Sequence, residues 1–482
     1  QWTNPASLVT LNWMSGSESS ESAGIEELTR QVETLRRQLE KAQAENERLR
    51  KELEEALRSL KRQAAPFSRG KRKKKDRNRP GRKSGADYGK QARRPVPERV
   101  NEEIAVRLPT ESKCCGAPTI YDETRPQFQE DIVKQTIVRR FDIEIGHCAC
   151  CGKRVQGRHP LQTSDALGAA QVQIGPQALA LSAHLNKELG VSHERAARVL
   201  KVGYGMEVNR SALCRAMIRL GVKATPTYEE LRIAVRRSQV NWMDETGWRV
   251  AGDLQWLWVC LSAEVTVYDI LPGRGFEQAA SILGTDWKGW LHHDGWRPYY
   301  QFAKAFHQSC LNHLLTRCKD LIEKVSPSAA QFPSGVLELL RKGMDLRDRY
   351  ARQEISAHGL AVATGRIESA MDVLLSKTYR TEANRRLAKH LCHEQPWLFT
   401  FLHCPGIDAT NNAGEREMRP AVIARKTWGG NRSEAGAEAQ RTLMSVLRTC
   451  YRQGKDAFER IVDLLRSATP VVLDIVPLGG SP

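Results

Sequence analysis

Apolar residues recur between positions 25 and 60 at alternating steps of three and four: Ile25, Leu28, Val32, Leu35, Leu39, Ala42, Asn46, Leu49, Leu53, Ala56 and Leu60. This is an a/d heptad seam about five heptads long, with Glu, Arg, Lys and Gln on the outer positions. It predicts a dimerising coiled coil over residues 25–62. Asn46 stands at an a position, where a buried amide favours a parallel two-stranded register. A single solvated helix is the alternative, and the unbroken seam argues against it. Pro66 ends the helix.

Further along, the period changes repeatedly. Residues 101–160 predict short strands, QTIVRRFDIEI among them. Residues 176–220 predict helices. The stretch VSHERAARVLKVGYGMEVNRSALCRAMIRLG gives a helix, a glycine-containing turn and a second helix, with Ser192 and Asn209 (or Ser211) as N-caps. This fits a helix-turn-helix over 166–236, with Arg210, Ser211 and Arg215 near the base-reading end; helix pairs of this kind are equally common in ordinary cores. From 238 the pattern becomes α/β. SQVNWMD, LQWLWVCLSA and VTVYDIL predict three consecutive strands, FEQAASILG a helix, GWLHHD a fourth strand, and HQSCLNHLLTRCKDLI a strand leading into a helix. Helical patterns fill 320–405, and GEREMRPAVIARK and AEAQRTLMSVLRTCYRQG form helices on either side of a Gly-Gly turn. Residues 1–24 are expected to be disordered, residues 1–13 being read as upstream-translated sequence before Met14, and residues 469–482 form a tail.

Composition sharpens this picture. A chain of 482 residues, 40% of them apolar, supports several domains with real cores. A net charge of +18 points to a polyanionic partner, nucleic acid first, because cationic side chains release counterions condensed on phosphates. No run of about 18 apolar residues exists, so nothing is expected to span a bilayer. The basic segment 69–94, inside a flexible linker over 63–100, carries Lys73, Lys74, Lys75 and Arg82 and is placed to grip phosphates; a solubilising linker is the plainer use. With no export signal expected, the twelve cysteines argue against a disulfide framework. Five fall between Cys114 and Cys151, which favours a structural Zn²⁺ held by a module over 101–165. Cys148 and Cys151 form one C-x-x-C half, and glycines follow both Cys115 and Cys151. The other half is irregular: Ser112 stands where a C-x-x-C ending at Cys115 would begin, so Cys114, His147 or Cys150 supplies the fourth ligand. A metal-free hairpin is the alternative.

Three acids sit in distinctive settings: Asp244 in VNWMDETGW, Asp294 in WLHHDGWRPY and Glu415 in NNAGEREMRP. The first two follow short apolar runs and are expected at strand ends; the third opens a helix. Carboxylates so placed are what a two-metal phosphoryl-transfer site requires, with two Mg²⁺ (or Mn²⁺) ions stabilising the attacking and leaving oxygens. Arg416, Arg419, Arg425 and Lys426 surround Glu415 and are expected on the phosphates of the scissile strand, a solvated helix face being the alternative. His292 and His293 either meet substrate phosphate or simply end a strand. Cys310 and His313 resemble a metal pair, but their spacing suits helix packing. His390, Cys392, His393, His403 and Cys404 match no regular zinc pattern and are expected in the core or on the surface. Trp428 suits base stacking and core packing equally.

Taken in order, PFSRGKRKKKDRNRPGRKSG, the CG…CxxCG pair, MDETGWRV, HHDGWRPY, CLNHLLTRC and NNAGEREMRPAVIARKTW resemble the transposases of the insertion sequence 66 family, a DDE group of bacterial mobile elements. The resemblance covers residues 25 to about 455. It implies a multidomain α/β plus α fold: an RNase H-like core over 237–319 and 406–468, interrupted by a helical insertion over 320–405, with a zinc-binding module and DNA binding upstream. It maps the DDE triad onto Asp244, Asp294 and Glu415, and selects Asp244 over Glu245. Two features depart from the family pattern, the first zinc half and Gly414, where Ala is usual before the Glu. The implied activity is metal-dependent cleavage of double-stranded DNA at element ends and strand transfer into a target. The protein would be a homodimer or higher oligomer in the bacterial cytoplasm at the nucleoid, possessing partners among the small accessory proteins of the same element. A dimeric DNA-binding regulator without catalysis, and an RNase H-like nuclease without strand transfer, are the competing readings.

Overall fold

A computed structural model describes residues 29–49, 96–107, 109–111, 116–129, 135–167, 172–404 and 406–477. Residues 29–49 form one helix, α1, on which Val32, Leu35, Leu39 and Leu49 are exposed. The remaining seam residues Ile25, Leu28, Leu53, Ala56 and Leu60 lie outside the described residues. So do Lys73, Lys74, Lys75, Arg82, Cys114 and Cys115.

β1 (Ile145–His147) and β2 (Arg154–Gln156) pair as an antiparallel hairpin. The strand expected over 135–145 is corrected here: only its last residue joins β1. Residues 135–144 find no ladder partner among the described residues, and Ile137 and Val138 stay exposed.

α2 (Pro176–Ala183), a π-turn at His184–Glu188, α3 (His193–Tyr204) and α4 (Arg210–Arg237) follow. Ser192 accepts the Arg195 amide and Asn209 the Ala212 amide, so both capping residues read from the sequence cap their helices. α4 is 28 residues long and continues far past the helix pair. Its Leu220, Ala224, Tyr228, Leu231 and Val235 enter the same apolar core as α2, α3 and one face of the sheet.

That sheet comprises β3 (Val240–Val250), β4 (Asp253–Leu261), β5 (Thr266–Leu271), β6 (Trp290–His293) and β7 (Phe306–Ser309), in the order β5-β4-β3-β6-β7. β3, β4 and β5 are antiparallel, whereas β6 and β7 run parallel to β3. The arrangement is consistent with an RNase H-like core. Side-chain alternation gives the sheet two buried faces. On β4, Trp258 and Cys260 join the core of α4, α5 (Phe276–Leu283) and α13 (Ala457–Arg466), while Leu257, Val259 and Leu261 face α11 (Asn412–Trp428) and α12 (Glu434–Arg452). Between β7 and α11 lie α6 (Leu311–Ile322), α7 (Pro327–Ala351), α8 (Ala357–Leu375), α9 (Glu382–Glu394) and α10 (Thr400–His403), which build a second apolar core. Among the described residues no helix is long and apolar enough to cross a membrane.

Candidate active site

Asp244 is not at a strand end. β3 continues to Val250, because its ladder with β4 runs on to the Ala251-Gly252 turn. The parallel ladder with β6 is much shorter and covers only Val240–Trp242. Asp244 therefore lies just beyond the parallel part of the sheet, where β3 separates its antiparallel neighbour from its parallel one. A crevice at such a switch point is where open α/β sheets bind ligands.

The register explains how two acids 50 positions apart meet. Trp242 is paired with His292, and their rings stack 4.8 Å apart. Asp244 lies two residues further along β3, and Asp294 two residues beyond His292, just past the end of β6. Glu415 arrives from the first turn of α11, which packs on the sheet face holding Trp248 and Val250. By alternation Asp244 shares that face, whereas Glu245 points to the other.

Burial pushes the Asp244 carboxyl up to about 8, and the negative charges of Glu245, Asp294 and Glu415 add to the rise. The three expected acids are therefore in electrostatic contact. Glu245 is buried and held by Arg274 (Nε–Oε1 2.6 Å) and by a hydrogen bond from the Tyr299 hydroxyl. Burial and the Asp294 charge raise its carboxyl as well. Arg274 lies 3.9 Å from Asp294 and over the rings of Trp256 and Trp296. It sits beside the acids, and nothing in its local sequence marks it.

Two buried devices fix the backbone around the acids. The first is a histidine chain. The Gly295 amide donates to His293 Nδ1 (3.0 Å), so His293 Nε2 carries the proton given to His307 Nδ1 (3.1 Å), and His307 Nε2 faces the Phe302 carbonyl (3.3 Å). Burial holds His293 well below the ordinary histidine value and His307 down to about 4, so both are neutral. His292 is buried too, and among the described residues neither of its ring nitrogens has a hydrogen-bond partner. These two histidines serve the strand end and are closed to substrate phosphate.

The second device is Asn411. Its Nδ2 donates to the Met243 carbonyl (2.9 Å), one residue before Asp244, and its amide donates to Cys310 Sγ (3.1 Å). The Leu311 amide donates to the Ala409 carbonyl (3.1 Å). The start of α11 is thus tied to β3 and to the start of α6. A Cβ at Gly414 would lie 2.7 Å from Asn411 Oδ1, so glycine there admits the clamp rather than loosening the helix.

Cys310 Sγ, a His313 ring nitrogen and a Glu415 oxygen all lie within 4.8 Å of one another, a set that could hold a metal ion. Cys310 is buried, as its spacing suggested, but His313 is exposed and 3.8 Å from Glu415, so packing alone does not describe it. Arg416, Arg419 and Lys426 are exposed on α11. Arg425 is not free: it donates to Thr246 Oγ1 (2.8 Å) and the Gly247 carbonyl (2.7 Å), tying α11 to β3. Trp428 packs edge-on against Trp248, which favours its core role. Arg210, Ser211 and Arg215 are exposed on the first turns of α4, remote in sequence from the acids; Arg210 lies 3.7 Å from Glu194.

At the β1–β2 hairpin, the Cys151 and Cys150 amides point at Cys148 sulfur and lower its thiol below the ordinary value. Gly152 (φ 67°) and Gly116 (φ 72°), the residues after Cys151 and Cys115, both adopt the left-handed turn. Glu111 and Pro118 form an isolated antiparallel bridge.

Residues 171–439, which include all three acids, match the family model described as Transposase IS66 family. The uncharacterized protein y4qI of Sinorhizobium fredii (strain NBRC 101917 / NGR234) is 24% identical over 283 residues, 53% of this chain and 52% of that protein. The chain thus spans about half the length of this relative.

Proposed function

Since the chain belongs to the IS66 transposase family, we propose that it cuts DNA at the ends of a mobile element and joins the freed ends to a target. Asp244, Asp294 and Glu415 are the acids of that chemistry. The observation that carries this reading is their convergence from β3, the end of β6 and the start of α11 into one electrostatically coupled cluster. An all-oxygen set of carboxylates suits hard divalent cations. The three acids would hold two Mg²⁺ (or Mn²⁺) ions, which when bound supply charge stabilisation to the attacking and leaving oxygens of an in-line displacement.

The surrounding residues keep this set in place. Arg274 balances Glu245 and Asp294 before substrate enters, the histidine chain holds the Asp294–Gly295 turn, and Asn411 fixes Glu415 against Asp244. Water serves as nucleophile in cleavage and a freed 3′-hydroxyl in strand transfer, so the protein forms no covalent bond to DNA. A regulator without chemistry has no use for clustered acids whose mutual repulsion is unfavourable, which argues against that alternative.

The outlying parts of the chain fit the same activity. The exposed apolar stripe of α1 supports a parallel coiled-coil dimer able to bring two ends together. The turn geometry at Cys148–Gly152 supports a structural Zn²⁺ site held by Cys148, Cys151 and Cys115 and completed by Cys114, His147 or Cys150. Exposed Arg210, Ser211 and Arg215 on α4 suit contact with duplex DNA, as do Arg416, Arg419 and Lys426 beside the acids.

The test is cleavage of a duplex bearing the sequences that flank this reading frame. Full-length protein with Mg²⁺ should break it at the element boundary, and Asp294→Ala protein or EDTA should abolish the breaks. Breaks that persist in the Asp294→Ala variant would overturn the assignment.

A further inference from the structure

Beside Asp294 a cleft of about 550 Å³ opens between the core and the helical insertion. That volume lies in the range of roughly 300–1,000 Å³ typical of ligand clefts. One wall is the backbone of Gly295 and the side chains of Arg297 and Tyr300. The other is a single face of α9, where Arg386, Lys389, His390 and His393 recur at helical spacing. The walls meet where Gly295 (φ 84°) touches the buried Glu394: a Cβ there would stand 3.2 Å from both carboxylate oxygens, and the left-handed φ itself favours glycine.

The charge of this cleft is one-sided. Arg297 and Lys389 are exposed, and no hydrogen bond or ion pair among the described residues engages either. Arg386 is held by Glu382, 2.8 Å away. His390, partly buried, is depressed to about 4 by burial and by the positive charges of Arg317 and His393. The negative groups nearby are Asp294, Glu382 and the buried Glu394. Tyr300 stacks on Trp397 at 4.6 Å, and the exposed His393 meets Tyr300 edge-on at 4.8 Å. A phosphodiester backbone entering the cleft would find two cations that have no ion-pair partner among the described residues.

We infer that this cleft is a backbone channel, in which Arg297 and Lys389 take consecutive phosphates of the DNA strand that leaves the Asp294 side of the acidic centre. The inference rests on the reading of that centre as a DNA-cutting site and adds the path of its substrate. Through α9 it gives the helical insertion a part in holding the cut strand.

Two full-length double variants test it: Arg297→Ala with Lys389→Ala, and Arg366→Ala with Lys377→Ala. The second removes the same charge from exposed positions of the insertion that do not line the cleft. The probe is the duplex spanning the element boundary, nicked at that boundary, titrated at several KCl concentrations. Losing two phosphate contacts should lower the slope of log K against log salt by about 2 and weaken binding about tenfold near 0.15 M salt. The single Lys389→Gln variant should lower the slope by about 1. Unchanged slopes in the cleft variants, or equal losses in both double variants, overturn the channel. Wild-type protein that cuts the probe while the cleft variants keep the wild-type slope sinks the channel alone. Protein that shows the cleft-dependent slope but makes no metal-dependent break sinks the cutting reading instead.

Discussion

Replacing Asp244 by Asn should make the metal-free protein more stable while removing its response to Mg²⁺. In the folded chain the Asp244 carboxyl is raised from 3.8 to about 8, first by burial and then by Glu245, Asp294 and Glu415. The folded value lies above the unfolded one, so stability falls as pH rises from 3.8 and the full loss is reached above about 8. At pH 7.5 the unfavourable term, about 1.4 kcal/mol per pH unit, amounts to about 5 kcal/mol. Water reaches the partly exposed carboxylate, and screening roughly halves this to about 2.5 kcal/mol. For a core of about 300 residues, that corresponds to a rise of about 4 °C in melting temperature. The assay is thermal unfolding of wild type and Asp244→Asn in EDTA at pH 4.5, 6 and 7.5, then at pH 7.5 with 10 mM MgCl₂ (a concentration of about this order suffices). The gain from Asn should be small at pH 4.5 and grow toward pH 7.5. Added Mg²⁺ should raise the wild type and leave the variant almost unmoved. A variant no more stable than wild type in EDTA at pH 7.5, or one that gains as much from Mg²⁺, would refute the electrostatic account of this cluster.

Other outcomes follow from the same contacts. Asn411→Ala should lower stability by about 1–3 kcal/mol by stranding the Met243 carbonyl, and should slow cleavage more than it weakens DNA binding, measured as single-turnover rate against Kd. Removal of both Cys310 and His313 donors (Cys310→Ser with His313→Ala) should leave activity with Mg²⁺ and reduce activity with Mn²⁺ or inhibition by Zn²⁺, since thiol and imidazole favour the softer ions; identical metal profiles would exclude these side chains as ligands. Cys148→Ser with Cys151→Ser should lower bound zinc from about one ion per chain toward none by elemental analysis, with the cleavage centre intact; undiminished zinc would place the ion elsewhere.

Much of the sheet could be read from the chain because β4 and β5 are apolar runs bounded by turns, and GWLHHD ends on polar residues. The apolar pattern predicts a β3 shorter than the observed Val240–Val250. Its second half, ETGWRV, carries polar residues that look like a loop, but a hairpin ladder with β4 supports them. The choice between Asp244 and Glu245 was open to period-2 reasoning, since Trp242 and Asp244 share one face. It could not show that Glu245 is spent on Arg274 and Tyr299, which come from 29 and 54 residues away. Asn411 was likewise visible as a residue but not as a clamp, because its partners are Met243 and Cys310. The α9 stripe had a signal in its i, i+3, i+4, i+7 spacing. Metal spacing was the wrong test for it, and helical facing was the informative one. Arg425 drew attention as a cation near Glu415, yet sequence alone cannot tell an arginine bonded to a strand from one facing solvent.

The hydrogen bond between the Leu311 amide and the Ala409 carbonyl closes the base of nearly one hundred intervening residues. The chain leaves the core and returns to it at one point, and within the excursion α9 and the segment after it reach back to the core through Glu394 at Gly295 and Ser309 and through Leu398 and Phe401 at Gln308. Because closure entropy grows only logarithmically, doubling the length of the excursion costs about 0.6 kcal/mol. Its outer helices can therefore lengthen at little cost to the fold, provided the Glu394 contacts at Gly295 and Ser309 are kept.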